Sequence, residues 1–387
     1  MDTARATGKA SGLILRTVRI WSGLFLLAFV TTHLLNVSLG VISIDAMDAA
    51  RPFLSGLWAN PTMGPLLLSA LFIHFCLGLW AIYRRPTLRT NLQDLVQLFS
   101  GVIVVPLLAT HAVGVSSLKL NGVTFDYAAA IKFFWLGQPA IGLLQVILLS
   151  VVWVHGCAGL FTWLRAKESM RNVLGWLYPI AVAVPVLALV GFAEAGRGAL
   201  IEAQAMQNAA PTYSEAPPEY AETPAPSAAP RVPYEVIKEV TNQVIWGSLA
   251  LALLTFAARG VRVALHTSET VRLQRGDTPP IETTSALSVY DSFQAHHQPH
   301  AGLCSGRGRC GTCAVRILSS EFPLPDPSAL EARTLGRLGA AEDVRLACQL
   351  IPSGGFLQVE PLYPADYSFK DEDYARVEPP HSSEVPA

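Results

Sequence analysis

Six long apolar stretches dominate the first two-thirds of this chain, at about 18–40, 62–83, 94–116, 139–163, 173–194 and 240–258. Each is close to or above the roughly 20 helical residues needed to cross a bilayer core. Backbone N–H and C=O groups in lipid must be bonded internally, so these stretches are expected to be helices packed as a bundle. Charged residues make up 15% of the 387 positions, against about 25% in ordinary soluble proteins. The mean hydropathy is +0.38. Lys and Arg number 28 against 29 Asp and Glu, a net charge of −1, which excludes a nucleic-acid partner held by bulk charge. From residue 259 onward the composition is that of a water-soluble domain. The predicted fold class is a membrane all-α six-helix bundle over 18–258, followed by an α+β domain over 259–364 and a disordered tail over 365–387.

Orientation follows from the basic residues. Arg5, Lys9, Arg16 and Arg19 precede the first span, Arg84, Arg85 and Arg89 separate spans two and three, and Arg165, Lys167 and Arg171 separate spans four and five. Short basic loops stay in the cytoplasm, which places residues 1–17 and the C-terminus inside a bacterial-type inner membrane. The first apolar run is too long for a signal-peptide core and lacks a small-residue cleavage site, so no cleavable leader is expected. Residues 197–237 form the expected external loop, disordered over the Pro/Ala/Glu-rich 207–233.

Four of the nine histidines fall one per span: His33, His74, His111 and His155. An ionisable side chain at membrane depth is costly and needs a reason. These four belong to an internal repeat. Aligning His33 with His111 also matches Ser22 with Ser100, Gly23 with Gly101 and Thr32 with Thr110. Aligning His74 with His155 matches Cys76 with Cys157, Gly78 with Gly159 and Arg84 with Arg165. Two duplicated hairpins related by a pseudo-twofold axis are therefore expected. His74 and His155 each lie ten residues before an arginine, about 15 Å along a helix. His33 and His111 lie deeper, about 21 and 25 Å past Arg19 and Asp94. Equal depth pairs His33 with His111 and His74 with His155. Two imidazoles facing one another in a bundle suit a bis-His b-type haem, so two haems are expected; helix-packing hydrogen bonds and a proton relay are the competing readings.

Cys76 and Cys157 read as packing residues, whereas Cys304, Cys310, Cys313 and Cys348 form a distinct set: C-x5-C-x2-C, with the fourth thiol after a further 34 residues. A cytoplasmic tail disfavours disulfides and leaves metal. Structural zinc takes two short pairs of ligands, whereas three clustered thiols and a remote one approach the C-x4-C-x2-C…C arrangement of plant-type [2Fe–2S] ferredoxins. Gly306, Gly308 and Gly311 let the loop curl so that N–H groups point at the sulfurs. Arg307 and Arg309 are expected either to offset cluster charge, to dock a partner, or to be solvated. GVRVALH and ETVRLQR read as two strands, SALSVYDSFQAHH as a helix capped by Ser285, TCAVRIL as a strand, LPDPSALEARTLGRLG as a turn and helix, and FLQVEPL as a last strand. His296, His297 and His300 read as surface residues.

The five-residue first gap resembles that of adrenodoxin-type ferredoxins over about 260–362, which implies a β-grasp [2Fe–2S] domain. The four-histidine pattern resembles the dihaem cytochrome b of succinate dehydrogenase and fumarate reductase. That resemblance implies a quinone or quinol near a haem, for which Gln93, Asp94, Gln97 and Glu194 are the candidates. The whole arrangement to about residue 364 resembles the N-terminal region of bacterial membrane-anchored class III adenylyl cyclases. No paired-Asp metal site or nucleotide-binding segment follows, so cyclase activity is not expected of these residues. Two functions are implied. One is an electron carrier between two b-type haems and a [2Fe–2S] cluster, serving a cytoplasmic redox partner; the other is a redox-sensing anchor for a cytoplasmic effector.

Overall fold

The structure, a computed structural model, describes residues 2–90, 92–122, 126–165, 167, 170–209, 232–266 and 268–367. Six helices are long and apolar enough to span a membrane: Ile14–Val41, Met63–Arg84, Leu92–Leu120, Pro139–Leu164, Val173–Asn208 and Tyr234–Ala264. They lie within α1 (Asp2–Ser38, continued by a 3-10 turn), α3 (Met63–Arg84), α4 (Leu92–Leu120), α6 (Pro139–Leu164), α7 (Arg171–Ala209) and α8 (Tyr234–Ala264). The expected loop from residue 197 is corrected: α7 continues to Ala209, carrying Glu202, which pairs with Lys132 at 3.1 Å. Of the disorder expected over 207–233 and 365–387, the parts at 210–231 and 368–387 lie outside the described residues.

The chain divides into two compact units: residues 1–80, 99–156 and 179–255, and residues 81–98, 157–178 and 256–387. In the first, the spans pack with two short helices, α2 (Ile44–Leu54) and α5 (Tyr127–Lys132). Ser43 and Asp126 cap them, accepting from the backbone N–H groups of Ala46 and Ala129 and so satisfying donors that a helix start leaves open. Met47, Tyr127, Ile131, Ala195 and Ala199 form a buried cluster there. The backbones of Gly40 and Gly191 meet so closely that a Cβ on either would strike the other helix; small residues permit such approach between membrane helices.

The second unit contains a mixed five-stranded sheet in the order β2-β1-β5-β3-β4. Its strands are β1 (Thr270–Arg275), β2 (Ile281–Thr284), β3 (Ala314–Ser320), β4 (Val344–Leu346) and β5 (Gly355–Pro361). β1 runs parallel to β5; the other neighbours are antiparallel. Alternate residues Val271 and Leu273, with Leu357 and Val359 of β5, face a core that includes Phe293, Val315 and Leu346. Two helices complete the domain, α9 (Val289–Ala295) and α10 (Ala329–Leu338).

Two local expectations differ from the structure. GVRVALH is no strand: α8 continues to Ala264, because Arg259 and Arg262, one turn apart, bind the carbonyls of Tyr83, Arg85 and Pro86 at the end of α3. Those carbonyls have no helical partner of their own, and guanidinium donors satisfy them. The cap of α9 is Ser288, whose Oγ accepts from Asp291 N, whereas Ser285 Oγ accepts from Glu269 N. The short strands β2 and β4 were not separately anticipated from the sequence.

Candidate functional site

The loop between α9 and β3 carries three of the four thiols, and the fourth follows β4. All four sulfur-bearing residues are buried, Cys304 and Cys313 at 1% exposure. The loop curls through successive left-handed positions at Ser305, Gly306, Gly308 and Gly311. At Gly311 (φ +84°) a Cβ would run into the Leu338 side chain, and at Gly308 (φ +65°) it would press on Gln349 and Leu330. Thr334 Oγ1 donates to the Gly308 carbonyl at 2.7 Å and ties the loop to α10.

The thiols meet as two pairs. Cys313 Sγ lies 3.3 Å from Cys348 Sγ, and Cys304 hydrogen-bonds Cys310. The Cys310 thiol, and then the backbone N–H groups of Arg309, Cys310 and Arg307, hold the Cys304 thiol well below the ordinary thiol range despite burial. Sharing with Cys304, reinforced by burial, pushes Cys310 up; Cys348 and burial do the same to Cys313. Among the described residues no three His, Cys, Asp or Glu side chains converge on one metal ion. Two thiol pairs are instead what a two-iron centre needs, with two thiolates for each iron. The inward N–H groups match the anion-binding loop expected from the glycines.

His300 is corrected from surface to core. It is 6% exposed, its ring 5.1 Å from Phe293 and 5.9 Å from Tyr290, with Nε2 3.4 Å from the Cys313 carbonyl. Burial lowers its pKa to about 4. Beneath the loop Glu331, 1% exposed, accepts from Arg345 Nε at 2.9 Å, Arg345 Nη2 at 3.0 Å and Leu346 N at 2.9 Å. The loop also meets the ends of the helices within its unit. Arg307 Nη2 lies 3.6 Å from Asp94 Oδ1, and Arg165 Nη2 donates to Ser305 Oγ at 2.9 Å. Asp94, expected from sequence near a quinone, is thus engaged with Arg307. Gln93 donates to Thr162, Gln97 packs over Gly159, and Glu194 pairs with Arg197.

The four span histidines meet in the expected pairs. The ring centroids of His33 and His111 are 5.9 Å apart, and those of His74 and His155 are 6.2 Å apart. The repeat extends to their surroundings. Ser22 Oγ lies 3.2 Å from His74 Nδ1 and Ser100 Oγ lies 3.1 Å from His155 Nδ1. A Cβ on Gly23 would stand 2.7 Å from His74 Cε1, and one on Gly101 would stand 2.7 Å from His155 Cε1. His74 Nδ1 is also 3.1 Å from the Arg19 carbonyl, which can only accept, so Nδ1 carries the proton and Nε2 keeps its lone pair. At His33 the same follows from a chain of donors. Asn36 Nδ2 donates to the Met47 carbonyl, which turns Oδ1 toward Ser55; Ser55 donates to it and accepts from His33 Nδ1 at 3.4 Å. The matched serines were visible as repeat positions in the sequence; Ser55 carried no such signal.

The mixed sheet, the curled loop and the four paired thiols define a [2Fe–2S] ferredoxin domain placed after six long apolar helices. Residues 282–353 match the 2Fe-2S iron-sulfur cluster binding domain family. A 60-residue stretch is 42% identical to Ferredoxin-1 of Aquifex aeolicus (strain VF5), covering 15% of this chain and 62% of that ferredoxin. The chain therefore spans less than two thirds of that relative's length. No solved structure matches.

Proposed function

We propose that this protein carries single electrons between a membrane and a ferredoxin-type centre. Cys304, Cys310, Cys313 and Cys348 are the ligands of a [2Fe–2S] cluster. His33 with His111, and His74 with His155, each hold one b-type haem. When bound, these groups supply one-electron redox chemistry that no side chain here offers.

The observation that carries the reading is the matched geometry of the two histidine pairs in a chain that also bears a ferredoxin domain. Two imidazoles ligating one metal from opposite sides have centroids about 6 Å apart, from two metal–nitrogen bonds of about 2 Å and the half-width of each ring. Separations of 5.9 and 6.2 Å fit that span. Metal-binding histidines commonly donate their other N–H to a fixed acceptor, and His74 and His33 both do so. Gly23 and Gly101 leave the space that the His74 and His155 rings occupy. Basic residues flanking the spans support a multi-pass protein of a cytoplasmic membrane with both termini inside; in this reading the lipid-phase partner is a quinone or quinol.

The test is a dithionite-reduced minus oxidised spectrum of the purified full-length protein, with EPR. Expected are bis-His b-type bands and a rhombic [2Fe–2S] signal. His33→Ala and His111→Ala should remove one haem, and His74→Ala and His155→Ala the other. A wild-type protein without haem overturns the electron-carrier reading; loss of the same haem from His33→Ala and His74→Ala overturns the pairing.

A further inference from the structure

The cluster loop is held to helix ends by an alternating set of charges. Asp94, 3% exposed, lies in the first turn of α4 among Arg85, Arg165 and Arg307. Arg165, just after α6, donates to Ser305, the residue next to Cys304, and its guanidinium also lies in the field of Cys304. Arg89 adds a bond to the Ala295 carbonyl at the end of α9 at 2.7 Å, and Asp291 of α9 faces Arg85. An acid this buried is stable only while its cations stay in place. The loop contacts therefore depend on charge as well as shape.

We propose that Asp94 and Arg165 form a latch that holds the cluster loop through Arg307 and Ser305, and that its Arg165 side responds to redox state, tightening when the cluster is reduced. This rests on the reading of the four cysteines as cluster ligands. One electron, supplied by dithionite in the test, converts one ferric ion to ferrous and adds one negative charge behind the loop. Arg165 approaches that charge from the helix side, so reduction strengthens docking. Coupling is reciprocal: a latch that grips the reduced form more tightly also raises the midpoint potential of the cluster. Arg165 is a positioning residue in this arrangement, and Asp94 fixes the Arg307 side of the loop.

The experiment uses full-length protein in nanodiscs, read by hydrogen–deuterium exchange over residues 303–311 and by redox titration of the cluster EPR signal. Wild-type exchange should be slower in the reduced state. Asp94→Asn and Arg165→Gln should each raise loop exchange several-fold, and Arg165→Gln should remove most of the difference between redox states. A tenfold redox dependence of docking corresponds to a midpoint potential lowered by 59 mV in Arg165→Gln. The two variants approach the loop from separate contacts, so a folding failure in one leaves the other to decide. Unchanged loop exchange and potential in a folded variant would overturn the latch while leaving the cluster assignment standing. Absence of a cluster signal from wild type would instead overturn the ligand reading and, with it, the redox response.

Discussion

Glu331→Ala should strip the ferredoxin domain of its most deeply buried ion pair. Glu331 and Arg345 side chains are 1% and 9% exposed, and the carboxylate takes two guanidinium bonds and one from Leu346 N. Removing it leaves the Leu346 N–H without that acceptor and the Arg345 charge with the Pro325 carbonyl at 2.8 Å. Breaking a buried pair from one side costs about 3–5 kcal/mol, a large share of the roughly 5–15 kcal/mol that holds an ordinary domain together. At a slope of about 4 kcal/mol per molar guanidinium, the midpoint should fall by about 1 M. The assay is anaerobic loss of the visible circular dichroism of the cluster in full-length protein, which reports this domain apart from the helices. A double variant, Glu331→Leu with Arg345→Met, removes both charges and should recover most of the loss. A shift below about 0.2 M for the single variant, or a double variant weaker than the single, would refute the argument from uncompensated charge.

Gly311→Ala combines a left-handed φ with a collision against Leu338, so cluster incorporation, measured as iron per protein, should fall steeply while the spans still insert. Gly23→Ala and Gly101→Ala each push a methyl into the His74 or His155 ring. Both should diminish the same haem band in the reduced-minus-oxidised spectrum and spare the other, and unlike effects would break the pseudo-twofold relation. Cys348→Ser should abolish or strongly reshape the rhombic EPR signal, since a thiolate is replaced by a poor ligand for iron. Asp291→Asn tests a titration. Burial raises the Asp291 carboxyl above its ordinary value of 3.8, although the Ser288 hydroxyl and Arg85 pull the other way. A raised carboxyl destabilises the folded state once ionised, so the wild type loses stability as pH rises through the folded value, and the asparagine variant escapes that loss. Its advantage in denaturant midpoint should therefore grow as pH rises above the ordinary carboxyl value of 3.8; an advantage that shrinks as pH rises contradicts the sign.

The spans, the histidine pairs and the four thiols were legible in the sequence because each rests on a rule that acts residue by residue. Apolar length alone makes a segment helical in lipid. A duplicated hairpin carries its histidines to equal depth, so their pairing follows from the repeat. Thiol spacing restricts which metal centre a loop can wrap. Arg259 and Arg262 show where this stops. The alternating GVRVALH pattern suits a strand, yet α8 keeps it helical because those arginines reach carbonyls at the end of α3. His300 likewise sits beside surface-type neighbours in sequence but is enclosed by Phe293 and Tyr290.

By itself, then, the sequence determined that six long apolar helices precede a ferredoxin-type domain, that four imidazoles pair within them, and that three thiols in a curled loop join a fourth from farther along the chain. Tertiary structure alone decided that Ser55 orients His33, that Glu331 neutralises Arg345 beneath the loop, and that Asp94 meets Arg307. The division has one physical cause. Solvent preference and ligand chemistry belong to a residue and its near neighbours. A buried charge or hydrogen bond is satisfied by whatever group packing brings to it, and that group comes from anywhere along the chain.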